Sequence, residues 1–286
     1  VEQAEELYRQ KRYRATQTLL QQFLLDRPGS RYREEAMYWL GRSELELNQE
    51  YEAEERFQGI LRDFPGGEFA PQANFYLGVA LQEQSRPPYL DQSETLAALA
   101  RFQSFVTRYP DHELAPEAEQ HIGELRDKLA QKAYLNGRTY LKRGFYFAAE
   151  YYFKDKVVIP YADTRWAPRA NLDLIQTYGN AKRYEDAVTW ANYLVTKFPD
   201  APQAELATEL QCKYGLELAQ FNETLYREAK IAASGEEALR WATFVVGECP
   251  GTGDAKKARE IARKMVDAGI TPAAAQADSA ADPGPD

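Results

Sequence analysis

Between its turns the chain carries apolar residues at helical spacing, as in Ile122, Leu125, Leu129, Tyr134 and Tyr140. That period predicts amphipathic helices, and no segment reads as an alternating strand. The helices are interrupted by a recurrent aromatic-Pro turn: Phe64-Pro65-Gly66, Tyr109-Pro110-Asp111 and Phe198-Pro199-Asp200, with Arg27-Pro28-Gly29 and Cys249-Pro250-Gly251 as variants. Proline has no amide donor and disfavours helical geometry in the residue before it, so each turn ends a helix. Ala70-Pro71, Ala115-Pro116 and Ala167-Pro168 then mark the next starts, because proline is well tolerated in a first helical turn.

The marks repeat. Gly41 is followed by Ala53, Phe57 and Pro65 at intervals of 12, 4 and 8 residues. Gly78, Ala98, Phe102 and Pro110 follow the same rule once an eight-residue insertion, Ser85 to Gln92, is removed. Gly137, Tyr140, Ala149 and Phe153 form a fourth unit, and Leu174, Tyr178, Ala187 and Pro199 a fifth. Small residues let paired helices approach while large ones fill the gaps between pairs. The spacing is slightly longer than the 34 residues of a tetratricopeptide (TPR) repeat. The expected fold is therefore all-α, a TPR-like α-α superhelix (solenoid) of about five helix pairs plus extra C-terminal helices. Gly41, Phe57, Gly78, Phe102, Gly137 and Phe153 are its expected structural core.

This register divides the chain. Units 1–3 occupy residues 1–115. The first is truncated, since its small site falls at Ala4 and a full helix would begin upstream of Val1. Units 4 and 5 occupy 116–202 and open with one long helix from Pro116 to Arg143. Residues 203–270 are divergent helices, with Asn222 a candidate break, and suit a cap on the last apolar face. Residues 271–286, rich in Ala, Pro, Gly and Asp, are expected to be disordered.

Composition narrows the function. A net charge of −9 argues against nucleic acid, which needs a concentrated basic face, and against unaided binding to anionic lipid. No apolar run is long enough to span a bilayer. His112 and His121 lie nine residues apart and a metal site needs three or four convergent ligands, so packing or solvation is expected of them rather than metal binding. Cys212 and Cys249 are expected to be two buried thiols; a bridge would need suitable Cα geometry. No phosphate loop, nucleophile elbow or metal motif occurs. The expectation is a binding protein, not an enzyme, with no cofactor.

One stretch carries a family resemblance. Leu125-Arg-Asp-Lys-Leu-Ala-Gln-Lys132, then Tyr134, Gly137, Tyr140, Lys142-Arg-Gly-Phe-Tyr-Phe-Ala-Ala149 and Tyr161-Ala162-Asp163-Thr164, resembles the BamD (YfiO, ComL) lipoproteins. So does Ala100-Arg-Phe-Gln-Ser-Phe-Val-Thr-Arg-Tyr-Pro110, and the likeness runs over roughly residues 5–200. It implies a lipid-anchored scaffold at the periplasmic face of the outer membrane, part of the β-barrel assembly (BAM) complex. Its partners would be the periplasmic domains of BamA, unfolded outer-membrane barrel proteins and other Bam lipoproteins. The chain departs from the family in lacking the lipidated Cys, in its length beyond residue 203, and in having aromatics Tyr151, Tyr152 and Phe153 where members place a BamA-facing basic residue. Another periplasmic TPR scaffold, Tol-associated or of the cell wall, is the competing expectation.

Two surfaces follow. Projecting the register onto the first helix of each N-terminal pair places Glu35, Tyr38, Arg42, Gln72, Phe75 and Val79 along a groove. Rings beside Arg suit a peptide that ends in an aromatic residue and a carboxylate; Tyr38 and Phe75 could equally pack between helices. Arg138, Lys142, Arg143, Arg165 and Arg169 form a basic concentration in units 4 and 5, expected either to face acidic groups of BamA or to be solvated.

Overall fold

The computed structural model describes residues 1–271; the tail expected to be disordered lies, after Thr271, outside the described residues. Thirteen α-helices and one π-helical turn make up the regular structure of the described residues, with no strand. The chain forms two compact units that meet inside one helix, between Leu129 and Ala130.

The first unit holds α1 (Glu2–Arg9), α2 (Tyr13–Asp26), α3 (Arg33–Glu46), α4 (Glu50–Asp63), α5 (Ala70–Glu83), α6 (Ser93–Arg108) and the start of α7 (Ala115–Lys142). Two kinds of turn alternate. After α2, α4 and α6 the residue before proline leaves the helix at nearly the same angles: Arg27 (φ −136°, ψ 61°), Phe64 (−134°, 59°) and Tyr109 (−132°, 58°). That common geometry is the extended bias that proline imposes on its predecessor. Within pairs the reversal is made by a left-handed residue, Lys11 (φ 58°) or Asn48 (φ 55°).

Between paired helices the glycines mark close approach. A Cβ added to Gly41 would stand 2.9 Å from the Phe57 ring, and one on Gly78 would stand 2.9 Å from Phe102. Both rings are fully buried. The insertion is held by Gln92, itself buried. Its Nε2 donates to the carbonyls of Pro87 (2.8 Å) and Asp91 (2.9 Å), and its Oε1 accepts from Thr95 Oγ1 (2.8 Å). Lys128 reaches Ser85 Oγ at 2.7 Å, and burial lowers its ammonium pKa.

The second unit takes the rest of α7 and α8 (Tyr146–Phe153), which runs into a π-helical turn, Lys154–Val158, that buries Val157 and Val158. There follow α9 (Trp166–Asn180), α10 (Tyr184–Lys197), α11 (Gln203–Ala229), α12 (Ala232–Glu248) and α13 (Gly253–Asp267). The same two turns recur, Gly144 (φ 74°) and Lys182 (φ 59°) within pairs and Phe198 (−130°, 55°) before proline. Gly137 approaches Phe153 so closely that a Cβ would stand 2.6 Å from the ring. These repeated hairpins make each unit TPR-like.

Two expectations are corrected here. Helix α11 runs unbroken through Asn222, whose Nδ2 donates to the Leu218 carbonyl (2.9 Å) instead of opening the chain. Cys212 and Cys249 are not free thiols but a disulfide, with Cα atoms 6.1 Å apart. Helices α11 and α12 lie side by side, and Cys249 at the end of α12 falls beside Cys212 within the usual bridging range. The residues 37 apart in sequence carried no mark of that pairing.

Candidate functional site

Residues of the proposed groove belong to α3 and α5 of the first unit. Helical spacing puts Tyr38 and Arg42 one turn apart on α3, and Arg42 Nη1 donates to Tyr38 Oη at 3.0 Å. Its Nη2 donates to Tyr8 Oη on α1 at 2.9 Å. The guanidinium carbon lies 3.9 Å from the centre of the Tyr76 ring and 5.3 Å from that of Tyr8. Trp39 and Phe69 complete the aromatic wall, 5.2 Å from Tyr8 and 4.8 Å from Tyr38 respectively.

This cation is half-buried and makes no ion pair among the described residues. The nearest compensation comes through Tyr8, whose hydroxyl donates to Glu46 Oε1 at 3.2 Å. Burial raises the phenol pKa of Tyr8 and takes that of Tyr76 to about 12, so both remain neutral at physiological pH. Three tyrosine rings thus surround a guanidinium of the kind that can bind a carboxylate bidentately, and they supply rigid apolar area beside it.

Not every residue expected in this groove reaches it. Phe75 is fully buried against Phe102 (5.5 Å), Phe105 (5.6 Å) and His121 (5.8 Å), so it is a core residue. One residue further turns the helix by about 100° and brings Tyr76, not Phe75, over Arg42. Tyr38 is buried too, yet its hydroxyl serves Arg42. Gln72 and Val79 are half-buried on α5, and Gln72 Oε1 is buried without a hydrogen bond. Glu35 is half-buried on α3, its pKa raised by burial and by Glu5 and Glu68. His121 stacks on Phe102 at 4.7 Å, and His112 Nδ1 accepts from the Leu114 amide at 3.1 Å.

The basic residues of the second unit separate into two groups. Tyr134 and Trp166 pack at 5.1 Å; Arg138 lies over Tyr134, while Arg165 and Arg169 lie over Trp166 at 5.6 and 5.2 Å. Arg138 also faces Asp173 at 3.7 Å, whose pKa burial raises. Lys142 and Arg143 stand apart from this cluster, exposed at the end of α7.

Beside them opens a cleft of about 840 Å³ between the α7–α8 turn and the end of α9. Tyr140, Phe145, Tyr146, Phe147 and Ala148 line one side, and Tyr178, Ala181, Lys182 and Arg183 the other. Its one carboxylate, Glu150, accepts from Tyr178 Oη (2.9 Å) and from Arg183 Nη1 (2.6 Å). Arg183 Nε also donates to Asp186 at 2.7 Å. The aromatic triplet 145–147 was visible in the sequence, but the repeat register alone does not say that a cleft lies beside it.

Among the described residues no cluster of His, Cys, Asp and Glu could hold a metal ion, and no helix is long and apolar enough to cross a membrane. A family model described as YfiO, outer membrane lipoprotein, matches residues 1–171, the whole first unit and the second as far as α9. No curated protein matches significantly. Among solved structures the chain is similar to the TPR2AB domain of yeast Sti1 in its complex with pHSP90, at 11% identity and a TM-score of 0.39, covering 92% of this chain and 95% of that one. A tetratricopeptide repeat protein of Parabacteroides merdae is 14% identical with a TM-score of 0.33, over 93% of this chain and 97% of that one.

Proposed function

The chain belongs to the YfiO family of outer membrane lipoproteins, and we propose that it is a non-enzymatic scaffold of the outer-membrane β-barrel assembly machinery. In this reading the first unit receives the C-terminal segments of unfolded barrel proteins, and α7 to α10 hold the periplasmic domains of BamA. Helices α11 to α13 close the apolar end of the second unit, as a terminal repeat must. A lipid anchor keeps the scaffold at the periplasmic face of the outer membrane, where other Bam lipoproteins join it.

Arg42 is the observation that carries the client half of the proposal. A half-buried guanidinium stacked on tyrosine and without an anion has unspent capacity for a carboxylate, and a chain terminus supplies one. An aromatic residue at that terminus would extend the ring cluster of Tyr8, Tyr38 and Tyr76. The Cys212–Cys249 bridge is in keeping with an oxidising compartment such as the periplasm.

The partner half rests on Arg138, Arg165 and Arg169, three cations arrayed on one aromatic pair. Affinity purification from native outer membranes tests it: the wild type should recover BamA. A variant with Arg138, Arg165 and Arg169 all changed to Glu should lose it. Undiminished recovery would remove this surface from the proposal.

A further inference from the structure

The cleft beside the α7–α8 turn is built from residues that the repeat does not require. The second helices α2, α4, α8 and α10 begin in the same register, so their first positions can be compared. The residue that precedes the helix is Arg12 before α2, Gln49 before α4 and Arg183 before α10, but Phe145 before α8. The second helical residue is Arg14, Tyr51 and Glu185 in the others and Phe147 in α8. All these positions in the second helical place face solvent, and Phe147 is 83% exposed. An aromatic ring there adds nothing to the core. Phe145, at 58% exposure, is open as well.

The electrostatics have a definite sign. Lys182 lines the cleft, held in a left-handed turn (φ 59°), and Lys142 and Arg143 are exposed immediately before Gly144 at its edge. Glu150, the one carboxylate in the wall, is spent on Tyr178 and Arg183. An apolar floor, with cations on the rim that make no ion pair among the described residues, therefore stands on a chain whose net charge is −9.

We propose that this cleft is a docking site for an acidic protein segment that inserts an aromatic or large aliphatic side chain between Phe147 and Tyr178. The inserted group covers Phe145 and Phe147, while acidic residues on either side meet Lys182, Lys142 and Arg143. Concavity favours an inserted side chain over a flat lipid surface. The inference shares Lys142 and Arg143 with the partner-facing role of the second unit, but Phe147 and Lys182 carry it independently of BamA.

Fluorescence anisotropy of the full chain with three labelled synthetic peptides tests it. One has a Phe-Leu pair between acidic residues, one the same pair between lysines, and one a Ser pair between acidic residues. Binding should be confined to the first, and Phe147→Ser and Lys182→Glu should each weaken it by about tenfold or more, the loss typical of an interface anchor. Phe147 is too exposed for its replacement to unfold the protein, and an unchanged melting temperature checks this. The Arg138, Arg165 and Arg169 triple variant should keep peptide binding even where it loses BamA, which separates the two ideas. No binding of the first peptide, equal binding of the lysine peptide, or Phe147-dependent binding to phosphatidylglycerol vesicles in its place would overturn the proposal.

Discussion

Each unit holds an arginine stacked on tyrosine, and the two are used differently. In the second unit Arg183 lies 4.6 Å from the Tyr178 ring and is closed by two ion pairs, to Glu150 at 2.6 Å and Asp186 at 2.7 Å. It fastens the α9–α10 turn to α8 and leaves the adjoining cleft to apolar contacts. In the first unit Arg42 lies 3.9 Å from Tyr76 and donates only to tyrosine hydroxyls. The same residue types make a structural clamp in one place and, in the other, leave a guanidinium whose contacts are tyrosines alone. What separates them is the presence of a carboxylate on the neighbouring helix.

That contrast is meaningful only if the surrounding hairpins are alike, and the Gly–Phe contacts test this first. Phe102→Ala and Phe153→Ala should each lower stability by roughly 3–5 kcal/mol, measured by denaturant unfolding, because each ring fills a buried gap opposite a glycine. A much smaller cost in one unit would show that its hairpins are not packed as the other's are.

The units should also differ in their response to pH. Glu44 of α3 is fully buried; burial raises its carboxyl pKa from 4.5 to about 7, against the opposing influence of Arg56 at 3.5 Å. Because the folded state holds this proton more tightly, the contribution is complete below pH 4.5 and is lost as pH rises through about 7. The loss is on the order of 3 kcal/mol. Glu44→Gln should flatten the pH dependence between 4.5 and about 7, the window between the two pKa values, as followed by hydrogen exchange in α3 and α4. An unchanged profile would mean that Glu44 is not its source.

Reduction acts on the other unit. Opening the Cys212–Cys249 bridge, which closes a 37-residue separation, should cost roughly 2–4 kcal/mol. Hydrogen exchange should quicken in α11 to α13 and stay unchanged in α1 to α6. The smallest effect is the most diagnostic for the two arginines: Arg183→Met should destabilise by about 1–3 kcal/mol through its lost charged hydrogen bonds, and Arg42→Met by less. Equal costs would mean that Arg42 is as much a clamp as Arg183.

Much of this architecture was legible in the residues, and the parts that were not have physical reasons. Pre-proline turns and glycine spacing are local signals, so Phe64, Tyr109 and Gly41 announce themselves within a few positions of the feature they cause. Which face a helical residue presents is set by rotation of about 100° per position, and an error of one residue separated buried Phe75 from Tyr76. The disulfide depends on a long-range approach of α11 and α12 that no local spacing encodes. Arg42 could be picked out as a candidate, but its lack of an anion is a property of three dimensions. The cleft at Phe147 could have been suspected by comparing the residue just before α2, α4, α8 and α10, where Phe145 stands in place of Arg12, Gln49 and Arg183.

We propose that Arg42 is a carboxylate receptor. It is tested by the affinity of the full chain for a barrel-protein C-terminal peptide ending in an aromatic residue, synthesised with a free carboxylate and with a terminal amide. The free acid should bind roughly tenfold to a hundredfold more tightly, the worth of a charge-assisted pair, and Arg42→Met should abolish that difference. Equal affinity for acid and amide in the wild type, or a preference that survives Arg42→Met, would contradict it.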